Sequence, residues 1–304
     1  MLENSGNIAR QYIDAVSTFE ALEEAQEEAA QVRGGMYWHA GPASAPDAKY
    51  LVRTTPAGAE TSLGPRTPEN VAIYERFTQR KRESAERVSG LKAALEQHQR
   101  LNRALRMGRV DPLVVALLGR LVSTQLSPHF RVVGTQALYA YEATAGVRLD
   151  SETLATRKRI LFSTQLVKVD SSMLGVLKKV DNTFRIRKSQ KYTAVNKDGF
   201  EVDIIRRERT GDDPHPIKLS DDDDDFWVVQ ARRANVLLDS PGFSAVIVAT
   251  NGTMARMNTV HPATFVAFKR WMAGQPDREA LKRRRDVLQA DAVQELLDKH
   301  LPQI

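Results

Sequence analysis

The sequence predicts an α+β (α/β) fold in which a small mixed β-sheet is flanked by helical N-terminal and C-terminal parts. Three observations lead to this fold class. Apolar residues recur at helical spacing near both ends, a strand–turn–helix pattern lies at 130–145, and short β-rich segments follow at 183–206. We therefore expect N-terminal helices with a small hairpin at 1–110, a core domain at 111–210 and a mostly helical domain at 211–304.

The N-terminal part begins with apolar residues at helical spacing and ends with a long basic segment. Thr67 before Pro68 is a favourable helix start, because threonine caps the first turn and proline is tolerated at the first helical position. The predicted elements are, in order, a helix at 8–32, a hairpin or extended arm at 36–38 and 50–52, and a helix from Thr67 to about Met107.

The core and the C-terminal part alternate between apolar runs and β-branched or aromatic segments. The predicted elements are a buried helix at 113–122, a strand at 130–133, a helix at 136–145, strands at 159–162, 183–187, 192–196 and 200–206, a helix near 171–180, a polar loop at 211–225, a further helix, strands at 244–249 and 253–258, and two C-terminal helices from about 262 and 277.

Composition excludes several classes of protein. The chain has 304 residues and no cysteine, so disulfides and thiolate zinc sites are excluded. We find no signal-peptide pattern at the N-terminus and no apolar run of about 18 residues, so we expect a cytoplasmic protein with no membrane partner. The net charge of +6 mildly favours an anionic partner such as a nucleotide or RNA.

The segment FRVVGTQALYAYE at 130–142 combines a buried strand, a glycine, a hydroxyl residue and a helix. Backbone N–H groups at such a helix start can face an anion. Gly134 would let a phosphate approach the backbone closely, and Thr135 could cap the helix and donate to a phosphate oxygen. The alternative is an ordinary strand-to-helix turn of an α/β protein.

The segment AVNKDGFEVDIIRR at 194–207 places a carboxylate, Asp203, in the middle of a strand that otherwise reads as buried. A buried carboxylate is costly unless it is paired or binds a cation. Asp203 is therefore either a ligand of a metal ion or one partner of a salt bridge with a nearby arginine.

Together these segments resemble the nucleotidyltransferases of the DNA polymerase β-like superfamily, and in particular a bacterial group of minimal nucleotidyltransferase domain proteins. The resemblance extends over nearly the whole chain, with its landmarks in the right order. These landmarks are SLGPRTPEN at 62–70, VVGTQALYAYEATAGVRL at 132–149, LKKVDNTF at 177–184, AVNKDGFEVDIIR at 194–206 and DREALKRRRDVLQADAV at 277–293.

The resemblance implies a Mg²⁺-dependent (or Mn²⁺-dependent) transfer of a nucleoside monophosphate from a nucleoside triphosphate to an acceptor. Gly134 and Thr135 match the turn that cradles phosphate, and Asp203 matches the third metal-binding, catalytic carboxylate. Lys269 would face the nucleotide phosphates, the alternative being a surface lysine. Lys282 opens a run of four cations, of which one or two would line the cleft while the others are solvated.

The chain departs from the family pattern between Ala155 and Thr156. A T-G-D-x-D segment with the two principal metal ligands is expected there, and about nine residues are missing between flanks that match well. Either the printed sequence omits this segment, or the protein lacks the two carboxylates. We favour omission, because a deletion inside a core strand would disrupt the sheet. A single Asp203 cannot hold two metal ions, so the chain as printed should bind metal weakly and catalyse little.

Three functions remain open. The first is an enzyme that transfers a nucleotide to a protein, an RNA end or a small molecule. The second is a catalytically inactive binding module with the same fold, and the third is a toxin-like or antitoxin-like regulator that uses this chemistry on a target. Asp221–Asp225, five adjacent aspartates, fits an acidic surface loop or a charge cluster at a helix N-terminus better than a metal site.

Overall fold

The computed structural model describes residues 1–41, 44, 47–155, 158–164, 172–208 and 218–304. Within these residues no helix is long and apolar enough to cross a membrane. The predicted break between Ala155 and Thr156 involves a residue outside the described part of the chain.

The helices follow the predicted order closely, and two short 3₁₀ turns lie at Ser127–His129 and Gly134–Ala137. The α-helices are α1 (Gly6–Gln31), α2 (Pro68–Ala104), α3 (Pro112–Ser123), α4 (Leu138–Ala145), α5 (Ser151–Leu154), α6 (Met173–Lys178), α7 (Ala234–Leu238), α8 (Pro262–Ala273) and α9 (Ala280–Lys299).

The strands divide among three sheets. They are β1 (Leu2–Glu3), β2 (Gly35–Ala40), β3 (Lys49–Thr54), β4 (Glu60–Pro65), β5 (Phe130–Val133), β6 (Val147–Arg148), β7 (Arg159–Thr164), β8 (Arg185–Arg187), β9 (Gln190–Val195), β10 (Glu201–Arg207), β11 (Val229–Ala231), β12 (Gly242–Val248) and β13 (Met254–Val260).

The chain forms two compact units, of which one is Gln11–Leu101 and the other combines Met1–Arg10 with Asn102–Ile304. In the first unit, β2, β3 and β4 form an antiparallel sheet, and Trp38 and Arg53 of this sheet contact Tyr74 and Phe77 of α2. The prediction of two strands here is wrong, because the sheet has three. The polar segment that contains Gly64 and Pro65 forms the additional edge strand β4. The predicted helix start is confirmed: the Asn70 backbone N–H donates to the Thr67 hydroxyl at 3.2 Å.

The second unit contains a mixed sheet in the order β12-β13-β5-β7-β10-β9-β8, with β11 added beside β10. Strand β7 pairs antiparallel with β5 and parallel with β10. The predicted α+β class is therefore confirmed, and β5 and β10 belong to one sheet as expected. The division into three domains stays a prediction; strands from both sides of residue 210 belong to this one sheet.

Alternating residues of the central strands bury apolar side chains on both faces of the sheet. One face packs against α3 and α6 and includes Phe162 and Val202. The other packs against α4, α8 and α9 and includes Val133 and Ile205. Asp203 lies on this second face, so the structure must neutralise a carboxylate in an apolar layer.

Candidate functional site

Three residues on neighbouring strands form a row across the centre of the sheet. Val133, the last residue of β5, is opposite Leu161 of β7, and Leu161 is opposite Asp203 of β10. Side chains of directly opposed residues project from the same face, and neighbouring strands lie about 4.8 Å apart. The structure therefore places Asp203 two strands from the end of β5.

The turn after β5 begins at Gly134, which has a φ of +74° that side chains rarely adopt. A Cβ added at Gly134 would meet no atom within 4 Å, so this backbone faces open space. The prediction that Thr135 caps the following helix is wrong. The left-handed glycine leads into a 3₁₀ turn, α4 begins only at Leu138, and its N-cap residue Ala137 makes no side-chain capping bond.

The side chains of this turn are held by other elements. The Thr135 hydroxyl accepts a hydrogen bond of 3.0 Å from the Gln289 amide, which also donates to the Thr153 carbonyl at 2.9 Å. The Gln136 amide donates to the Arg159 carbonyl at 3.1 Å. The amide oxygens of Gln136 and Gln289 are buried without a hydrogen-bond partner in the described part of the chain. One unused acceptor thus lies on the turn and a second on α9, where it packs against the turn.

Asp203 is fully compensated inside the protein. One carboxylate oxygen accepts from Nε of Arg159 and forms an ion pair with its Nη2, and the other accepts from the Thr193 hydroxyl. The Asp203 side chain is only 1% exposed, whereas Arg159 is 41% exposed. Of the two roles that the sequence left open for Asp203, the salt bridge with an arginine is the one whose contacts are present.

Lys269 lies in the middle of α8, where it is buried against α9. Its ammonium donates to Asp286 at 2.8 Å, and Arg278 contacts the other oxygen of the same carboxylate at 2.6 Å. Burial lowers the pKa of Lys269, and the Asp286 carboxylate opposes this effect. Asp286 lies one helical turn before Gln289, so this buried ion network adjoins the Thr135 turn through α9.

Lys282 lies outside this network. Its ammonium pairs with Glu279 at 2.8 Å on the surface of α9, and its side chain is 52% exposed. The structure therefore places Lys269 of α8 in an internal ion pair with α9, and Lys282 on the solvent-facing side of α9.

The described residues do not fit a two-metal centre. No group of three or more His, Cys, Asp or Glu side chains able to hold a metal ion occurs among them. On β7, the strand beside Asp203, the residues on the same face are Arg159, Leu161 and Ser163, none of which is a carboxylate. The one carboxylate of the row is occupied by a guanidinium.

Sequence reasoning missed the residues that contact the predicted site, namely Arg159, Thr193, Gln289, Arg278 and Asp286. For α9 a signal was present, since Asp286, Gln289, Ala290 and Val293 recur at helical spacing and form its buried face. For Arg159 the only signal was a basic residue at the first position of a strand, which usually indicates solvent.

Comparison with known proteins assigns the fold. A family model described as nucleotidyltransferase matches residues 113–304, more than half of the chain, and this range contains the sheet, the turn and Asp203. The comparisons with curated proteins and with solved structures found no match. The chain therefore belongs to the nucleotidyltransferase family.

Proposed function

We propose that the chain is an enzyme that holds a nucleoside triphosphate at the Gly134-Thr135 turn and transfers its nucleoside monophosphate to an acceptor. The observation that carries this proposal is the turn itself, which lies two strands from Asp203 inside the range that matches the family. The resemblance adds membership of the DNA polymerase β-like superfamily, a bacterial origin, a cytoplasmic location and a protein, RNA end or small molecule as acceptor.

The contribution of the chain itself is mainly positioning and charge, which dominate phosphoryl-transfer catalysis. The open backbone at Gly134 admits a phosphate group, and the nearby N–H groups can donate to its oxygens. Lys269 and Arg278 supply two positive charges against the single negative charge of Asp286, and this network is linked to the turn through Gln289 of α9, which contacts Thr135.

The resemblance implies Mg²⁺ or Mn²⁺ as cofactor, with Asp203 as ligand. Because the described residues do not form a two-metal centre, the proposal assigns no step to a metal ion. The Arg159–Asp203 pair favours a second candidate function, a catalytically inactive binding or regulatory module that keeps the fold and the nucleotide site.

Nucleotide binding tests the assignment of the turn through two matched glycines. Gly134 and Gly146 both have positive φ, and a Cβ at either would meet no atom within 4 Å, so alanine strains both backbones similarly. We expect Gly134→Ala to weaken binding of the preferred nucleoside triphosphate at least tenfold, about the worth of one charge-assisted hydrogen bond. Gly146→Ala should leave the Kd within about threefold. Equal effects of both variants would contradict the assignment.

Asp203→Ala separates the two candidate functions when transfer and thermal unfolding are measured on the same variant. The enzyme hypothesis expects transfer in the wild type and its loss in the variant. The module hypothesis expects no transfer by either protein and a lower melting temperature for the variant, because Arg159 and Thr193 lose their partner. The contacts of Asp203 with Arg159 and Thr193 lead us to expect this loss of stability under either hypothesis, so measured transfer decides between them.

A further inference from the structure

The site of Asp203 already contains a cation, and that cation belongs to the protein. Two nitrogens of Arg159 contact one carboxylate oxygen, and the Thr193 hydroxyl contacts the other. Mg²⁺ binds directly to oxygen at about 2.0–2.1 Å and keeps several waters in an octahedral shell. A carboxylate that is 1% exposed and bonded at both oxygens has no room for such a shell.

Arg159 is held in this position by the turn on one side and by strand β10 on the other. Its backbone carbonyl accepts from Gln136 of the turn, and its backbone lies opposite Glu201 at the start of β10. Its guanidinium is also 3.9 Å from the Glu201 carboxylate, which Arg187 contacts at 2.5 Å. Two arginines thus balance two carboxylates, so these four side chains carry no net charge.

The position of Arg159 on β7 brings its positive charge next to the Gly134-Thr135 turn. Leu161 pairs with Val133, and Arg159 lies two residues before Leu161 on the antiparallel strand β7. Arg159 therefore lies beside the segment that begins at Gly134, and 41% of its side chain faces solvent. A planar guanidinium binds carboxylate and phosphate oxygens with similar geometry, and it keeps its charge at every relevant pH.

We propose that Arg159 replaces the divalent metal ion at Asp203, so that the chain binds a nucleoside triphosphate at the turn without a divalent cation. The claim that the turn binds a nucleoside triphosphate rests on the proposed function. The claim that Arg159 takes the place of a metal ion at Asp203 does not. Without Arg159, the Asp203 carboxylate would repel the phosphates and, with Glu201 nearby, would attract a divalent ion.

The first experiment uses the unmodified chain. Binding of radiolabelled ATP, GTP, CTP and UTP is measured by equilibrium dialysis in EDTA and in excess Mg²⁺. We expect at least one nucleotide to bind with Kd values that agree within about threefold between the two conditions. Binding that is at least about tenfold tighter in Mg²⁺ would overturn the proposal.

The second experiment follows Mn²⁺ by electron paramagnetic resonance in the absence of nucleotide. The wild type should bind no Mn²⁺ at this site, and Arg159→Ala should gain one ion that is lost again in Arg159→Ala/Asp203→Asn. Arg187→Ala is the matched control, because Arg187 is 35% exposed and pairs with Glu201 but not with Asp203. Mn²⁺ bound by the wild type through Asp203, or no gain in folded Arg159→Ala, would refute the replacement.

The two experiments separate two kinds of failure. If no nucleotide binds in either condition while Arg159→Ala gains its Mn²⁺, the proposed function fails and the charge replacement holds. If Arg159→Ala does not fold, as judged by circular dichroism, Arg159→Gln takes its place in the Mn²⁺ titration. The comparison of EDTA with Mg²⁺ on the wild type needs no variant at all.

Discussion

At the scale of single residues, burial and hydrogen-bonded or charged partners shift the pKa of a carboxyl group in opposite directions. For Glu142 of α4, the effect of burial is the larger. The Glu142 carboxylate contacts Arg109 and accepts from the Leu149 backbone N–H. Burial nevertheless raises the pKa of Glu142 to about 7, and these two partners only partly oppose it. The folded protein therefore holds a proton on Glu142 at pH values where the unfolded chain has released it.

This raised pKa predicts how stability depends on pH. The contribution of Glu142 is fully present below the unfolded pKa of 4.5 and is lost as pH rises towards 7. The shift corresponds to a loss of up to about 3 kcal/mol across that window. Urea unfolding of the wild type and Glu142→Gln at pH 4.5 and 7.5 checks this. The stability of the wild type should fall relative to the variant, and parallel pH profiles would contradict the assignment.

Asp203 could be recognised from the sequence as a special residue, whereas its partner Arg159 could not. A carboxylate in an apolar strand is conspicuous in a sequence, because burying it is costly without a partner. The sequence named the two possible partners, a metal ion or an arginine, and could not choose between them. The choice depended on Arg159, which lies 44 residues away and meets Asp203 only because β7 and β10 pair.

At the scale of elements, the acidic run Asp221–Asp225 serves a short helix. Asp221 to Asp224 are exposed, whereas the buried Asp225 carboxylate accepts from the backbone N–H groups of Met173 and Leu174 at 2.7 Å each. The Ser220 hydroxyl donates to the same carboxylate. The run is therefore both of the things the sequence allowed, an acidic surface loop and a charge at the N-terminus of α6.

This division among five identical residues predicts a sharp contrast in stability. Asp225→Ala leaves two N–H groups at the start of α6 unpaired and should cost about 1–2 kcal/mol, as for the loss of a helix cap. Asp224→Ala removes an exposed neighbour and should change stability by less than about 0.5 kcal/mol. Chemical unfolding of both variants is the measurement, and similar losses would show that the run acts only through its total charge.

At the scale of the whole molecule, the strand that follows the interruption of the family pattern is a central strand of the mixed sheet. Strand β7 lies between β5 and β10 and pairs with both. The expectation that a deletion between Ala155 and Thr156 would disrupt the sheet stays a prediction, because Thr156 lies outside the described residues. The segment RILFST alternates apolar side chains, and Ile160 and Phe162 bury on one face while Leu161 packs on the other. This segment forms a central strand without the missing carboxylates.

If β7 is central, its large core residue must contribute strongly to stability. Phe162 is 1% exposed and packs edge-on against Phe130, with ring centroids 6.0 Å apart. Phe162→Ala should cost about 3–5 kcal/mol, because it leaves a cavity between sheet and helices. Leu281→Ala, at a side chain that is 77% exposed, should cost less than about 0.5 kcal/mol. A small loss for Phe162→Ala in urea unfolding would contradict this topology.

The sequence by itself determined the order and type of most of the elements, because these depend on local patterns, whereas short or edge elements such as β4 and β11 were not predicted. Helical spacing, the Thr67-Pro68 start and the alternation around Asp203 are readable within a few residues. The sequence also led to the nucleotidyltransferase family, since the landmarks that carry the resemblance are contiguous segments.

The tertiary structure alone decided which side chains meet. Arg159 at Asp203, Gln289 at Thr135 and Asp286 at Lys269 are contacts between elements that lie apart in the chain. They depend on strand order, register and the helix face that packs inward, and none of these follows from local spacing. The neutralised charge at the centre of this site is therefore a property of the fold, although every residue that produces it is visible in the sequence.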